Sequence, residues 1–212
     1  AYHDVVCVNF NYRTGPIGWM AFDSDAASNA TTGNYGILDI QSALRWVRRE
    51  IGHFGGDRHR VAIHGQSSGG GLVELQLVAP ASNGLFRAAI SESGGLSART
   101  LGDALAATFA VANATGCLRR DRTSGKAYAS KICMQLLPAL AITSLTDSGD
   151  WGPTVDGVTI PGEPMKLLER GLVNDRVEAA VMGHQTNDSF LFLARDGYTR
   201  NHDTQPNWRI DG

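Results

Sequence analysis

The feature that most constrains the fold of this chain is the segment 61–77, which contains the pentapeptide Gly65-Gln66-Ser67-Ser68-Gly69. A short apolar run precedes the pentapeptide and a helix-forming stretch follows it. When a strand turns sharply into a helix, a serine between two glycines is exposed at the apex of the turn. Glycine is expected at both ends of the pentapeptide because Cβ atoms there would collide as the turn tightens. We therefore predict that Ser67 is a nucleophile and that the Ser68 N–H faces an oxyanion position at the start of the helix.

Two other interpretations of the pentapeptide have to be weighed. Such a pentapeptide also arises by chance in chains of this length, so the strand before it and the helix after it carry the prediction. A phosphate-binding loop is the competing functional interpretation of a glycine-rich turn between a strand and a helix. It is rejected because no Gly-Lys-Ser or Gly-Lys-Thr follows.

Composition and charge restrict the classes of partner. The chain has 212 residues, with 19 Lys and Arg against 21 Asp and Glu, for a net charge of −2. Without a basic excess, no nucleic-acid partner is expected, and no apolar run reaches the roughly 18 residues of a transmembrane helix. There is no C-x-x-C and no His/Cys cluster at ligand spacing, so neither a metal nor another cofactor is predicted.

Apolar runs alternate with helix-forming segments along the chain. Strands are predicted at 5–10, 61–64, 85–91 and 177–183, and helices at 37–51, 67–79, 101–112 and 165–170, with a broken helical pattern from 116 to 146. This alternation predicts an α/β fold with a mostly parallel central sheet flanked by helices. The strand at 5–10 is expected to be buried on both faces. Reacting groups in such folds gather beyond the carboxyl ends of the strands.

A series of motifs in fixed order resembles a known family. The motifs are NYRTGPIGW at 11–19, GNYGILD at 33–39, ALRWV at 43–47, FGGD at 54–57, the pentapeptide, LFRAAI at 85–90, SG at 93–94 and PTVDG at 153–157. Together they resemble the type-B carboxylesterases, the cholinesterase-like branch of the α/β-hydrolases, over most of residues 4–193. The resemblance implies an α/β-hydrolase fold and a serine esterase that acts on small-molecule esters.

The resemblance also assigns catalytic residues. The family triad is Ser, then an acid, then His in chain order, and Ser67 matches the nucleophile. The segment GHQTNDS at 183–189 resembles the family's acid loop and places Asp188 at the acid position. The alternative for Asp188 is an aspartate that caps a helix or a turn. Neither His64 nor His184 is expected to act as the base.

The base and the His-Gly-Gly-Gly oxyanion segment of the family are expected to lie outside the chain. The chain also enters an apolar run within its first few residues. It is therefore interpreted as a piece of a longer protein, one partial α/β-hydrolase domain that spans residues 1–212.

Three further positions follow from the resemblance. It implies an ion pair between Arg13 and Asp39 that braces the edge of the sheet. Gln66 stands where the family usually has Glu, which argues against a cation-seeking cholinesterase site. Ser93 matches a buried serine of the family's carboxylate network, although a serine there could also simply satisfy a backbone group.

The cysteines and sequons bear on the cellular compartment. Cys7, inside an apolar run, is predicted to be an inert buried thiol. The resemblance implies a disulfide between Cys117 and Cys133. Sequons begin at Asn29, Asn113 and Asn187. A disulfide together with sequons predicts a secreted glycoprotein.

Two classes of function remain open from the sequence. The first is a serine carboxylic-ester hydrolase that works through an acyl-enzyme. The second is a non-catalytic, cholinesterase-like adhesion or scaffold protein, and Ser67 between its two glycines favours the enzyme. The isolated chain is expected to have little or no turnover, because without a base Ser67 is an ordinary hydroxyl.

Overall fold

The structure is a computed structural model, and it describes residues 4–146, 151–186 and 188. The strands are β1 (Ala62–Gln66), β2 (Ala88–Glu92), β3 (Arg99–Thr100), β4 (Leu118–Arg120), β5 (Ala127–Ala129), β6 (Thr154–Val155) and β7 (Ala179–Gly183). The α-helices are α1 (Gly15–Trp19), α2 (Asp23–Ala27), α3 (Tyr35–Glu50), α4 (Ser68–Val78), α5 (Leu101–Ala114), α6 (Lys131–Gln135), α7 (Ala139–Thr143) and α8 (Pro164–Glu169). Short 3-10 helices lie at Ile51–Phe54 and Pro80–Ser82.

A three-stranded parallel sheet lies at the centre of the described chain, in the order β1-β2-β7. Ala62 is level with Ala88, which is in turn level with Ala179, so the strands begin and end together. Two further pairs, β3 with β6 and β4 with β5, form small separate sheets. The predicted α/β fold, with a parallel sheet flanked by helices, is confirmed.

Helices α3 and α4 build the main core. The face of α3 formed by Ile37, Ile40, Leu44 and Val47 is buried, as expected for an amphipathic helix. Helix α4 is buried along its whole length from Gly70 to Val78 and packs on β1 and β2. A helix that is apolar on nearly every side is stable only inside a protein, so α4 fixes the position of the turn that precedes it.

The predicted strand at 5–10 is wrong. Residues 5–10 form no strand, and the side chains of Val5, Val6, Val8 and Phe10 are exposed. Cys7 is a free and exposed thiol rather than a buried one. A strand buried on both faces needs a neighbouring strand and covering helices, and the described residues place neither beside this segment.

The broken helical pattern at 116–146 proves to be a β-hairpin followed by α6 and α7. The turn of the hairpin forms around Asp121, whose Oδ1 accepts hydrogen bonds from the N–H groups of Thr123 and Ser124. These bonds, led by that from the Ser124 backbone, lower the pKa of Asp121. Gly125 follows with a φ of 69°. Such a turn depends on hydrogen bonds between one side chain and the backbone that follows it. The spacing of apolar residues does not indicate such bonds, so the hairpin is not predicted.

A disulfide joins Cys117 and Cys133 and closes the segment that contains this hairpin. Cys117 is fully buried, and its carbonyl accepts a hydrogen bond of 3.0 Å from the Ser130 N–H. We expect the double substitution Cys117→Ala/Cys133→Ala to lower the free energy of unfolding by about 3 kcal/mol, because the unfolded chain gains loop entropy. Urea unfolding measures this. Cys7→Ala is the matched control and is expected to change nothing, and equal losses in both variants would contradict the prediction.

Arg13 and Asp39 form the ion pair that the resemblance implies, and the pair is partly exposed. Arg13 Nη2 and Nε lie 2.7 and 2.8 Å from the two carboxylate oxygens of Asp39, and the Arg13 N–H donates a third hydrogen bond of 2.9 Å. Their side chains are 48% and 26% exposed. The pair ties the segment before α1 to α3, and solvent screening reduces its contribution to stability.

The pair predicts a pH dependence of stability. The hydrogen bond from the Arg13 side chain lowers the pKa of Asp39 below its ordinary value of 3.8, against the opposing effect of burial. A lowered pKa in the folded protein means that the stabilisation is present above 3.8 and is lost as the pH falls through the folded value. We expect Asp39→Asn to cost about 1 kcal/mol at neutral pH and progressively less in acid. Urea unfolding across this range measures the difference, and a cost independent of pH would contradict it.

Among the described residues, no helix combines the length and the apolar character that crossing a membrane requires.

Candidate active site

Ser67 occupies the turn between β1 and α4, and its backbone is strained. Its φ of 56° and ψ of −123° lie in a region that residues other than glycine rarely adopt. The Ser67 N–H donates to the Glu92 carbonyl at 2.9 Å, and the Ser67 carbonyl accepts from the Gly71 N–H at 3.1 Å. The backbone is therefore held on both sides of a strained residue, and the serine itself is exposed.

Gly65 is required by the tightness of this turn, but Gly69 is not. A Cβ atom at 65 would lie 2.9 Å from the Gly70 nitrogen, and still closer to the carbonyl carbon and oxygen of Gly69. A Cβ atom at 69 would meet no atom within 4 Å. The expectation that both flanking positions need glycine for steric reasons is therefore correct for Gly65 and wrong for Gly69. The tight approach is between the end of β1 and the backbone of the first turn of α4.

The next two glycines let α4 approach the loop after β2. A Cβ atom at Gly70 would lie 2.9 Å from the Glu92 carbonyl oxygen, and one at Gly71 would lie 2.8 Å from the Gly95 carbonyl oxygen. The first turn of α4 therefore packs directly on backbone. This close packing fixes the direction of the helix below the serine.

Ser68 is the first residue of α4 and is exposed. The N–H groups of the first turn of an α-helix have no partner within the helix, and they carry its partial positive charge. The Ser68 N–H belongs to this set. A negative charge that develops beside Ser67 would therefore lie at the favourable end of α4.

The strand next to β1 ends in a second strained serine. Ser93 has a φ of 51°, and its N–H donates to the Gly183 carbonyl at 2.6 Å. The Ser93 side chain is half-buried rather than buried, which differs from the implied position in a buried network. Gln66 is exposed and is level with Glu92 on β2. A carboxylate is therefore present one strand away from the position where the family usually has Glu.

Asp188 follows β7 and lies in a turn. Its N–H donates to the Gln185 carbonyl at 3.3 Å, and its Oδ2 accepts from the Gln185 N–H at 3.4 Å. The side chain is half-buried. Since β7 is the second strand from β1, the loop that holds Asp188 leaves the sheet at the same carboxyl end as the Ser67 turn, about 10 Å away. Both the acid and the turn interpretations of Asp188 fit these contacts.

Neither of the two nearby histidines bonds to Ser67 in the described structure. His64 is exposed on β1, and its Nε2 lies 3.4 Å from Glu92 Oε1. His184 Nδ1 lies 3.2 Å from the Gln185 carbonyl oxygen. His202 and the third sequon asparagine, Asn187, lie outside the described residues.

One buried polar pair beneath the turn is not predicted from the sequence. Ser91 on β2 donates a hydrogen bond of 2.6 Å to Glu74 Oε1 on α4, and both residues are buried. This bond joins the helix that begins at Ser68 to the strand that holds the Ser67 N–H. The one indication of this pair in the sequence is Glu74 itself, a carboxylate between Val73 and Leu75 in a helix that is otherwise mostly apolar.

These observations define the class of the protein. A strained, exposed serine at the carboxyl edge of a parallel sheet, directly before a buried helix, is the arrangement of the α/β-hydrolases. A model of the carboxylesterase family matches residues 1–209. The chain belongs to the carboxylesterase family.

Comparisons with known proteins agree with this membership. Neuroligin-2 of Mus musculus is 35% identical over 173 residues, which cover 81% of this chain and 20% of neuroligin-2. Cholinesterase of Mus musculus is 32% identical over 212 residues, which cover 94% of this chain and 34% of the cholinesterase. Among solved structures, carboxylesterase EST55 of Geobacillus stearothermophilus matches with a TM-score of 0.73 and 29% identity over 89% of this chain and 38% of its own. The chain thus spans between 20% and 34% of the length of these curated relatives.

Proposed function

We propose that this chain carries the nucleophile and the acid of a serine carboxylic-ester hydrolase. The observation that carries the proposal is the geometry of Ser67, which is strained, exposed and placed directly before the N–H groups of α4. Enzymes of the carboxylesterase family are the class in which such a serine attacks esters. The substrate class that we propose is a small-molecule ester of a carboxylic acid.

The proposed reaction has two halves. Ser67 Oγ attacks the carbonyl carbon of the ester while its proton passes to a general base. The oxyanion that forms faces the Ser68 N–H, one of its donors. The intermediate then expels the alcohol, which takes the proton from the base, and leaves an acyl group on Ser67. Water repeats the sequence, releases the carboxylic acid and restores the serine hydroxyl.

In this proposal Asp188 orients the imidazole of the base and stabilises its cation. Asp188 lies on the loop after β7, and this supports the role because that loop and the Ser67 turn both follow the carboxyl ends of parallel strands. Gln66 and Ser93 flank this edge at the ends of β1 and β2. They are proposed to shape the site rather than to react.

We propose that a histidine beyond residue 212 supplies the base, and that residues 1–212 are one partial domain of a longer protein. The contacts of His64 with Glu92 and of His184 with Gln185 support this, since they engage both histidines elsewhere. The greater length of the relatives supports it as well.

Hydrolysis of p-nitrophenyl acetate tests the proposal in two proteins, the 212-residue chain and the longer protein that the proposal requires. We expect turnover in the longer protein and none above the buffer rate in the chain alone. A folded longer protein without turnover would favour the non-catalytic adhesion or scaffold function. Turnover by the chain alone that Ser67→Ala abolishes would contradict the external base.

We also propose that the protein is secreted and glycosylated. The disulfide between Cys117 and Cys133 favours an oxidising compartment. The sequon asparagines Asn29 and Asn113 are both exposed, which glycosylation requires. A glycosidase-induced mass shift, lost when each asparagine is replaced by glutamine, tests this proposal.

A further inference from the structure

A cleft opens at the amino ends of the strands of the central sheet, whereas Ser67 follows the carboxyl end of β1. Its volume is about 490 Å³, which is within the usual range of roughly 300–1,000 Å³ for sites that bind small molecules. Val61, Arg87 and Glu178 line it, and each of these residues directly precedes a strand of the central sheet. Since Ser67 follows the other end of the five-residue strand β1, about 16 Å of sheet separates the cleft from the candidate active site.

The cleft concentrates positive charge in a chain whose net charge is −2. Four arginines from four separate segments line it, together with His59, and Glu178 is the one acidic residue among its described lining residues. The arginines are Arg48, Arg58, Arg87 and Arg176. The lining thus carries four positive charges against one negative charge, and this excess favours an anion in the cleft.

Two of these guanidinium groups are held in place by the protein. Arg48 Nη1 donates to the Gly84 carbonyl, and Arg87 Nη2 pairs with Glu178 Oε2. Each arginine carries five N–H donors, so these contacts orient the two groups and leave further donors for a ligand. The other two contact neighbours in the chain: Arg58 Nε donates a hydrogen bond of 3.0 Å to His59 Nε2, and Arg176 Nε lies 3.8 Å from Asp175 Oδ1.

The remaining walls of the cleft are compatible with a bound small molecule. Apolar side chains of Val61, Leu85 and Phe86 contribute to the lining beside the arginines, and Phe86 is itself anchored in the core at 3% exposure. Asn83 adds a side-chain amide. Most small-molecule sites are lined mainly by apolar groups with a few polar ones, so this cleft is rich in charge by comparison, as a site for an anion would be.

We propose that this cleft binds a small anion that carries at least two phosphate or sulfate groups. The planar fork of arginine pairs with the oxygens of either group through two parallel hydrogen bonds, which a lysine does not provide. A second group is proposed because the four arginines provide more N–H donors than one tetrahedral anion needs. Binding at this edge is independent of Ser67.

Isothermal titration of the 212-residue chain with pyrophosphate and, separately, with a sulfated disaccharide tests the proposal. We expect at least one of them to bind, with an affinity that falls as salt increases because arginine-to-anion contacts are screened. Binding of pyrophosphate alone assigns a phosphate ligand, and binding of the disaccharide alone assigns a sulfate ligand.

The double variant Arg58→Gln/Arg176→Gln is expected to weaken this binding at least about tenfold, which corresponds to 1.4 kcal/mol. Both side chains are exposed, so a thermal melt is expected to match that of the unsubstituted chain. Arg122→Gln, an exposed arginine on the β4–β5 hairpin, is the matched control and keeps full affinity. Absence of binding to both ligands, or an equal loss in the control, would overturn the proposal.

Discussion

Ser67→Ala is expected to lower ester hydrolysis by the longer protein by about 10⁴-fold or more, because Ser67 Oγ is the atom that we propose to carry the acyl group. The fold should be unaffected. The Ser67 side chain makes no capping hydrogen bond to α4, so removal of its hydroxyl leaves the helix start intact. Steady-state kinetics with p-nitrophenyl acetate, together with a thermal melt, measure both expectations.

Ser68→Ala is the matched control for this prediction. It removes the neighbouring hydroxyl, keeps the backbone N–H that we propose to face the oxyanion, and is expected to retain turnover within about tenfold. If Ser68→Ala abolished turnover while Ser67→Ala preserved it, the assignment of the nucleophile would be wrong. Equal retention in both variants would place the activity elsewhere in the protein.

Gly65→Ala is expected to lower the free energy of unfolding by about 4 kcal/mol, among the larger effects of a single substitution. The new Cβ would lie 2.9 Å from the Gly70 nitrogen and closer still to the Gly69 carbonyl. Both obstacles are backbone atoms, so no side chain can rotate away, and either β1 or the first turn of α4 must move. Urea unfolding of the 212-residue chain measures the loss.

Gly69→Ala provides a control at the other end of the same pentapeptide. No atom lies within 4 Å of a Cβ there, and position 69 lies inside α4. Alanine is favoured over glycine in a helix by up to about 1 kcal/mol, so this variant is expected to be as stable as the parent or slightly more stable. A larger loss for Gly69→Ala than for Gly65→Ala would contradict the geometry of the turn.

The central part of the fold could be predicted because local pattern and tertiary environment agree there. The apolar run before Ser67 and the helix that stops before Pro80 have the same limits in the structure within a few residues. Helix α3 follows its three- and four-residue apolar spacing in the same way. Along α3 and α4 the apolar residues that define the pattern are also the residues that are buried.

Other parts depended on contacts that a local pattern does not contain. Residues 5–10 have the composition of a buried strand, but whether they form one depends on a neighbouring strand with which to pair. The hairpin at 118–129 depends on the Asp121 turn, and the Glu74–Ser91 bond depends on α4 crossing β2. The arginine cleft likewise arises from four segments that only the folded sheet brings together.

Reaction with a serine-directed fluorophosphonate tests most directly whether Ser67 is an activated nucleophile. The longer protein is treated with the reagent, digested and examined by mass spectrometry, with Ser67→Ala and Ser68→Ala treated in parallel. We expect one covalent adduct, on the peptide that contains Ser67, and we expect it to be present in Ser68→Ala and absent from Ser67→Ala. A folded protein that gains no adduct, or that gains it at another residue, would show that Ser67 is not the activated nucleophile.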